Sequence, residues 1–419
     1  MVDIKKKIEK ICKTTKSASY QLSNSSNKER NYALKLIAEN ITKFKSIIIA
    51  ANKKDHSAAL RNKIPINLID RLLLNEERIN NIVKDILNIS KLDDPIGKEL
   101  IKNLRPNGLN ITKVTVPLGV IAVIFESRPN VACDVACLCI KSGNAVVLKG
   151  GKEAKNTTET IITIIKKALE KTSLSPNIVC SLQDYSREST YSLLKMGQYI
   201  DVLVPRGGKS LIKTVRKIST IPIFSHLDGI CHTYIDEFAN IKMAIAISLN
   251  AKMRRTSICG ATETILCHVD IATKILPTLL ENLIAAGCEV RGDNYVKKFN
   301  KKVKKASFKD WSKEYLDSIV SIKVVKNLVE AIEHINYYSS KHTDAIITDN
   351  YKNAKLFLEK IESAIVMHNT STQFADGAEF GLGAEIGIST GKLHARGPVS
   401  SQELTTYKYI VKGNGQLRK

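Results

Sequence analysis

The feature that most constrains this chain is a repeated pattern of short apolar runs, each followed by a polar loop and a helical stretch. Pro117-Leu-Gly-Val-Ile-Ala-Val-Ile-Phe125 carries no polar side chain. A strand apolar on both faces belongs inside a parallel sheet covered by helices. The polar loop Glu126-Ser-Arg-Pro-Asn130 follows, and Asn130 opens a helix over 131–141 that Ser142-Gly-Asn144 ends. Ala145-Val-Val-Leu-Lys149 is the next buried strand, then come Gly150-Gly-Lys-Glu153 and a helix over 156–170. Strand, loop and helix in repetition are the grammar of an open α/β sheet. Ligands of such sheets bind at the carboxyl ends of strands, here Ser127 to Asn130 and Lys149 to Lys152.

The pattern continues through most of the chain. Further strands are predicted at 178–182, 200–205, 221–224, 233–236, 262–269, 320–325, 344–348 and 364–367. Helices are predicted near 188–196, from 209, and at 238–249, 277–286, 328–338 and 354–361. The strand at 200–205 ends in Arg206-Gly207-Gly208. Two glycines there let backbone N–H groups approach an anion, although a tight turn uses them equally well. No G-x-G-x-x-G follows any strand, so the ordinary dinucleotide fingerprint is absent. The stretch 297–313 reads as charged and irregular, and 369–397 as Gly-rich loop.

Residues 1–92 read as helices, with apolar residues at helical spacing over 31–49 and 70–89 and a break at Pro65. Residues 98–116 alternate weakly around Pro106-Asn-Gly108, a hairpin tip, and the tail 404–412 alternates like an edge strand suited to pair with it. A hairpin so poor in core residues is unstable alone, which points to packing on another subunit. The predicted class is α/β, with two open α/β domains plus a β-hairpin oligomerisation arm. Residues 1–92 and 117–228 make the first domain, 229–400 the second, and 93–116 with 401–419 the arm and C-terminal strand.

At 419 residues the chain is long enough for two such domains. Its 43% hydrophobic and 25% charged composition excludes disorder and fibrous repeats. The N-terminus lacks the apolar segment of a secretory signal, and the longest apolar run, 114–125, is too short for a bilayer. A cytoplasmic protein without a membrane partner is expected. The net charge of +23 raises nucleic-acid binding. However, the lysines are scattered over many helices, and no aromatic RNA-binding signature or paired Cys/His spacing is present. No nucleic-acid partner is expected. Nine cysteines, an odd number, fit free thiols in a reducing compartment. Cys133, Cys137 and Cys139 lie in an apolar helix with no second ligand cluster, so they read as core thiols and no metal is expected.

One stretch stands apart: Asn250-Ala-Lys-Met-Arg-Arg-Thr-Ser-Ile-Cys259-Gly-Ala-Thr-Glu-Thr-Ile265. A helical pattern runs in, a strand pattern runs out, and a small basic loop with one cysteine lies between. Chemistry is placed at Cys259 as a thiol nucleophile. If Lys252, Arg254 or Arg255 points inward, it would favour the thiolate or receive a phosphate. The alternative for each is a solvated basic face.

Several segments carry a resemblance: Pro117-Leu-Gly-Val-Ile121, Glu126-Ser-Arg-Pro-Asn-Val131, Ser142-Gly-Asn-Ala-Val-Val-Leu-Lys-Gly-Gly-Lys-Glu153 and Val204-Pro-Arg-Gly-Gly208. Asn250-Ala-Lys252 with Cys259, Phe380-Gly-Leu-Gly-Ala-Glu385 and His394-Ala-Arg-Gly-Pro398 complete the set. In this order, over nearly the whole chain, they resemble the gamma-glutamyl phosphate reductase (glutamate-5-semialdehyde dehydrogenase) family of the aldehyde dehydrogenase superfamily. The resemblance implies a cofactor domain, a catalytic domain and an oligomerising β arm, hence a homo-oligomer. It implies NADPH-dependent reduction of L-glutamyl 5-phosphate to glutamate 5-semialdehyde, the second step of proline biosynthesis. It assigns Cys259 as nucleophile, Asn130 as side-chain oxyanion donor, Lys149 to the adenosine ribose and Glu314 to the nicotinamide ribose. Ser127, Gly150, Gly151, Lys152, Arg206, Gly207 and Gly208 complete the candidate cofactor contacts, with Lys152 and Arg206 suited to a 2′-phosphate. Arg255, Ser371 and Thr372 are candidate substrate contacts, the last two in the loop after Asn369 that grips the substrate's far end.

Aldehyde-oxidising relatives carry a glutamate that activates hydrolytic water. The matching stretch here, Ser225-His-Leu-Asp-Gly-Ile-Cys-His232, has none. That suits a thioester that must accept hydride rather than water. His226 reads as a structural or substrate-contact residue, with a base role left open. The lability of an acyl phosphate also suggests transient contact with a glutamate 5-kinase. Two other readings remain: a hydrolysing dehydrogenase for a small aldehyde, and a basic binding protein that kept the fold without catalysis.

Overall fold

The computed structural model describes residues 2–225 and 227–418. It divides into two compact units, Met1–Ser225 with Gly381–Gly387 and Val399–Lys419, and His226–Phe380 with Ile388–Pro398. No helix among the described residues is long and apolar enough to cross a membrane.

The first unit begins with α1 (Val2–Ser23), α2 (Asn27–Lys43), α3 (Lys45–Arg61), α4 (Ile66–Leu72) and α5 (Glu76–Lys91). Ser26 starts α2 with a capping box. Its hydroxyl accepts the Glu29 N–H, and the Glu29 carboxylate accepts the Ser26 N–H at 2.8 Å, so two end donors are satisfied. The single helix expected over 31–49 is divided at Phe44, whose φ of −102° and ψ of 20° belong to neither helix. Apolar residues continue at helical spacing across the break, so periodicity does not reveal it.

β1 (Glu99–Leu104) and β2 (Asn110–Pro117) form the expected hairpin. The C-terminal strand Thr405–Lys412 pairs with β2 along its length, from Thr405↔Pro117 to Lys412↔Asn110. The result is a three-stranded antiparallel sheet that belongs to the first unit.

β3 (Val120–Phe125), α6 (Asn130–Lys141), β4 (Ala145–Lys149), α7 (Lys155–Leu169), β5 (Val179–Ser181), α8 (Arg187–Leu193), β6 (Val202–Arg206) and α9 (Lys209–Ile218) follow. Their parallel sheet runs in the order β5-β4-β3-β6. Every residue of β3 and β4 is buried. Each such Val, Ile or Leu contributes about 1.5–3 kcal/mol of hydrophobic burial. β3 starts at Val120 rather than Pro117 because Gly119 turns the chain at a φ of +126°. The strand expected at 221–224 is only an isolated bridge, Leu203↔Ile223. Pro222 offers a carbonyl to the Leu203 N–H at 2.8 Å but has no N–H of its own, so the ladder stops there.

The second unit contains β7 (Cys231–Ile235), α10 (Ile241–Met253), β8 (Thr262–His268), α11 (Val269–Ala285), β9 (Glu289–Gly292), β10 (Lys304–Lys305) and β11 (Ile319–Val325). α12 (Leu328–Tyr338), β12 (Thr343–Ile347), α13 (Tyr351–Lys360) and β13 (Ile365–His368) complete it. Its sheet has seven parallel strands in the order β10-β9-β11-β8-β7-β12-β13. α11 starts well before the expected Pro277, which lies inside it. Ile271, Ile275, Leu276, Leu279, Leu280 and Leu283 are buried along its face. Their burial outweighs the roughly 3 kcal/mol cost of an interior proline.

The boundaries differ from the expected 229–400 domain. The division falls after Ser225, and 381–387 and 399–400 pack with the first unit. Within that unit, Ser400 Oγ donates to the Leu382 carbonyl at 2.9 Å. Gly383 lies against Ile89 so closely that a Cβ would sit 3.3 Å from its side chain.

Candidate active site

The segment 254–261 joins α10 to β8, so Cys259 sits at the amino edge of the second unit's sheet, where β7 and β8 begin. The carboxyl-end rule used for the first unit does not locate this loop. Cys259 is half-buried, whereas the other eight cysteines are buried. It packs beside Ala345, Ile365, Met367, Ala375 and Ile388. Behind its backbone, Cys231 Sγ donates to the Cys259 carbonyl at 3.1 Å. Burial raises the Cys231 thiol well above its ordinary value, which keeps it a neutral donor. Gly229 is closer still. A Cβ on it would lie 2.4 Å from the Cys259 carbonyl oxygen and 2.8 Å from the Cys259 Cβ.

Both ends of the loop are anchored. Lys252, in the last turn of α10, and Glu263, in β8, are fully buried and bonded at 2.5 Å. This commits Lys252 to the fold and removes it as a phosphate contact. Burial pushes the Glu263 carboxyl up to about 7 against the opposing pull of Lys252. Arg254 and Arg255 are exposed. Gln373 Nε2 donates to the carbonyls of Asn250 (3.1 Å) and Ala251 (2.8 Å), closing the end of α10.

Ser371 and Thr372 share that turn, so the expected substrate loop lies against the nucleophile loop. Both are buried. Ser371 Oγ accepts the Gln373 N–H at 3.3 Å. Thr372 Oγ1 lies 3.0 Å from Thr262 Oγ1, which is 2.7 Å from Thr233 Oγ1. The Thr372 hydroxyl therefore belongs to an interior chain of hydroxyls. Glu314 Oε1 accepts the Gly229 N–H at 2.8 Å, so this carboxylate serves the turn behind Cys259.

In the first unit, Asn130 is the first residue of α6, and its Nδ2 donates to Asp134 Oδ2 at 2.9 Å. An amide nitrogen carries two N–H groups, so one remains for a ligand. Burial chiefly raises the Asp134 carboxyl to about 7, with Asp85 adding and the Asn130 bond and Arg206 opposing. Arg206 is half-buried and lies against Gly387, where a Cβ would be 2.6 Å from its Nη1.

Two of the backbone donors expected at an anion, Ser127 and Gly208, are engaged by the chain's own carboxylates. Gly208 N–H donates to Glu126 Oε2 at 2.9 Å, and a Cβ on Gly207 would lie 2.4 Å from the same oxygen. Ser127 donates through N–H and Oγ to Glu153 Oε1 at 2.6 and 2.9 Å. What suits a nucleotide is the end of β4. Lys149 is buried there, with its amine lowered by that burial. Gly150 and Gly151 follow, and Lys152 is exposed.

Glu237, His268 and Asp270 bring three ligand-type side chains together. His268 Nδ1 accepts the Asp270 N–H at 3.2 Å, which leaves the neutral ring's proton on Nε2. The imidazole caps α11 and presents no lone pair to a metal. His226 lies outside the described residues.

Asp134, Gly229 and Glu263 escaped the sequence reading. Asp134 had a usable signal, since it lies four residues after Asn130 on one helix face. The partners of Gly229 and Glu263 come from other elements, and no periodicity announces them.

The aldehyde dehydrogenase family model matches residues 3–295. A gamma-glutamyl phosphate reductase of Paramagnetospirillum magneticum is 49% identical, covering 93% of this chain and 92% of its own length. One of Brucella suis is 46% identical over 99% of each chain. The crystal structure of gamma-glutamyl phosphate reductase from Thermotoga maritima superposes with a TM-score of 0.95 at 40% identity, covering 98% of this chain and 100% of that one. The chain belongs to the aldehyde dehydrogenase family and, within it, to the gamma-glutamyl phosphate reductases.

Proposed function

We propose that the chain reduces L-glutamyl 5-phosphate to L-glutamate 5-semialdehyde and phosphate with NADPH, in the second step of proline biosynthesis from glutamate. The observation that carries this reading is Cys259, the one cysteine that is not buried, on a loop tied at both ends. Relatives named for this reaction cover nearly the whole chain.

The Cys259 thiolate attacks the acyl carbon, the bond from that carbon to the phosphate oxygen breaks, and phosphate leaves with the electron pair. A thioester remains on Cys259. When bound, the reduced nicotinamide supplies a hydride to the thioester carbon. The C–S bond then breaks, the aldehyde departs and the thiolate is restored. Both tetrahedral stages carry an oxyanion. The Cys259 N–H is one donor, and the family resemblance supports Asn130 as a second. Loss of such a donor costs about 10²–10³ in rate. Lys149, Gly150, Gly151 and Lys152 would hold the adenosine side of the cofactor, with Lys152 the exposed cation for a 2′-phosphate. For Ser127 and Gly208 to serve an anion, Glu153 and Glu126 must release their N–H groups, and Gly207, beside Gly208, is the third candidate contact. Arg255, exposed beside Cys259 in sequence, is the remaining candidate for the departing phosphate.

The arm supports homo-oligomerisation. All of β1 is exposed, including Leu100 (51%), Ile101 (56%) and Leu104 (74%), as are Tyr409 and Val411 on the C-terminal strand. A cytoplasmic location and transient contact with a glutamate 5-kinase belong to the same reading. The kinase contact rests on the lability of the acyl phosphate.

The experiment runs the reaction in reverse, following NADP⁺ reduction by glutamate semialdehyde with phosphate, coenzyme A or water alone as acyl acceptor. Turnover is expected with phosphate only. Equal turnover in phosphate-free buffer would identify a hydrolysing dehydrogenase and overturn the reading.

A further inference from the structure

Residues 313–316 form a strap beside the nucleophile loop, held at two points. Glu314, half-buried, takes the Gly229 N–H on Oε1 at 2.8 Å. Two residues on, the Leu316 N–H donates to Glu263 Oε1 at 3.2 Å. The other oxygen of Glu263 holds Lys252. Leu316 has a φ of +53°. A bulky residue persists in that region only where its surroundings hold it, and such strain gathers at functional sites. The strap thus grips the turn behind Cys259 with one side chain, and is itself gripped by the buried pair that ties both ends of the Cys259 loop.

Gly229 transmits this grip. Its α-carbon lies so near Cys259 that an added methyl would overlap the cysteine's carbonyl oxygen, Cα and Cβ, at 2.4, 2.7 and 2.8 Å. A shift of the Gly229 peptide therefore moves the carbon that bears the nucleophilic sulfur. An acceptor that fixes the Gly229 N–H also fixes Cys259. We propose that Glu314 is a positioning residue for Cys259, acting through the Gly229 N–H, whether or not it also meets the cofactor. The proposal rests on Cys259 being the nucleophile.

The hydrogen bond and the charge are separable. Glu314→Gln removes the charge and keeps an oxygen at the same reach. Glu314→Asp keeps the charge and withdraws the oxygen by one methylene. Glu314→Ala removes both. In the full-chain enzyme the Asp and Ala variants should lose roughly ten- to a hundredfold in kcat, the order expected when a reacting group is misplaced by about 1 Å. The Gln variant should keep at least about tenfold more kcat than Ala, and any rise in the KM for NADP⁺ reports a separate cofactor contact and should not follow that ranking.

A second readout needs no cofactor: the rate of iodoacetamide alkylation at Cys259, followed by peptide mass spectrometry. The Asp and Ala variants should depart from wild type in the same sense, and the Gln variant should not. Two results would overturn the proposal. One is a raised KM for NADP⁺ in all three variants with unaltered alkylation, the pattern of a cofactor contact alone. The other is a Gln variant as impaired as Ala, the pattern of a charge role. If Ala does not fold, the Gln and Asp pair decides alone. A fully active Cys259→Ser variant would instead refute the underlying function, whatever the Glu314 series shows.

Discussion

Gly229 is the residue where sequence, packing and chemistry meet most tightly. Its missing side chain is filled by the backbone of Cys259, at distances no Cβ tolerates. The Gly229→Ala variant should fold with a loss of about 1–3 kcal/mol, typical of overpacking. Its kcat should drop by about 10² because the nucleophile is displaced. Urea unfolding and turnover separate the two effects, and unchanged turnover would contradict the account. Asp134 offers a pH test. Burial raises its carboxyl to about 7 in the native state from an ordinary 3.8. As pH rises, the unfolded chain releases this proton first, so native stability contributed by the protonated group is lost between about pH 4 and pH 7. Asp134→Asn removes that loss. The variant should gain on wild type at pH 8 and not at pH 4, by urea midpoints at the two pH values. An equal difference at both would show that Asp134 does not titrate in this range. Cys259 was singled out from the residues themselves, as a lone thiol in a basic loop, whereas Asn130 was singled out only through the family resemblance. Glu263 was not, since its meaning comes from burial opposite Lys252.

At the scale of elements, the hinge between α10 and β8 depends on that buried pair. Lys252→Met alone leaves the Glu263 charge unpaired and should cost about 3–5 kcal/mol. Adding Glu263→Leu should recover most of the loss, because an apolar pair of similar volume is often as stable as a buried ion pair. A double variant as unstable as the single in urea unfolding would argue that the pair's hydrogen bonds, including that to the Leu316 N–H, matter more than its charges. The apolar strands were legible because burial on both faces leaves an unbroken hydrophobic run. The start of α11 and the fate of 221–224 were not. A proline looks like a boundary in sequence, yet Pro277 sits inside a helix whose apolar face is buried. Pro222 permits only a single bridge where β-branched neighbours suggested a strand. Tertiary packing decided the first outcome, and the missing N–H of a proline decided the second.

For the whole molecule, the alternation of strand and helix announced two α/β sheets, and the weakly alternating ends announced the arm. The reassignment of 381–387 to the first unit was hidden, because its contacts are with Ile89, far away in sequence, and with Ser400 beyond the intervening loop. The arm's exposed apolar residues lead to a test in solution. Ile101→Asp combined with Val411→Asp should shift the assembly to monomer in sedimentation velocity. Retention of the wild-type oligomer would place the interface elsewhere. The central claim is that one thiol of nine carries the chemistry. Its most direct test is the Cys259→Ser variant in phosphate-dependent NADP⁺ reduction by glutamate semialdehyde, with folding checked by thermal melting. Turnover should fall by at least about 10³ in a variant that melts like wild type, since a serine hydroxyl is a far weaker nucleophile than a thiolate at neutral pH. A folded Cys259→Ser enzyme within about tenfold of wild-type turnover would contradict the account.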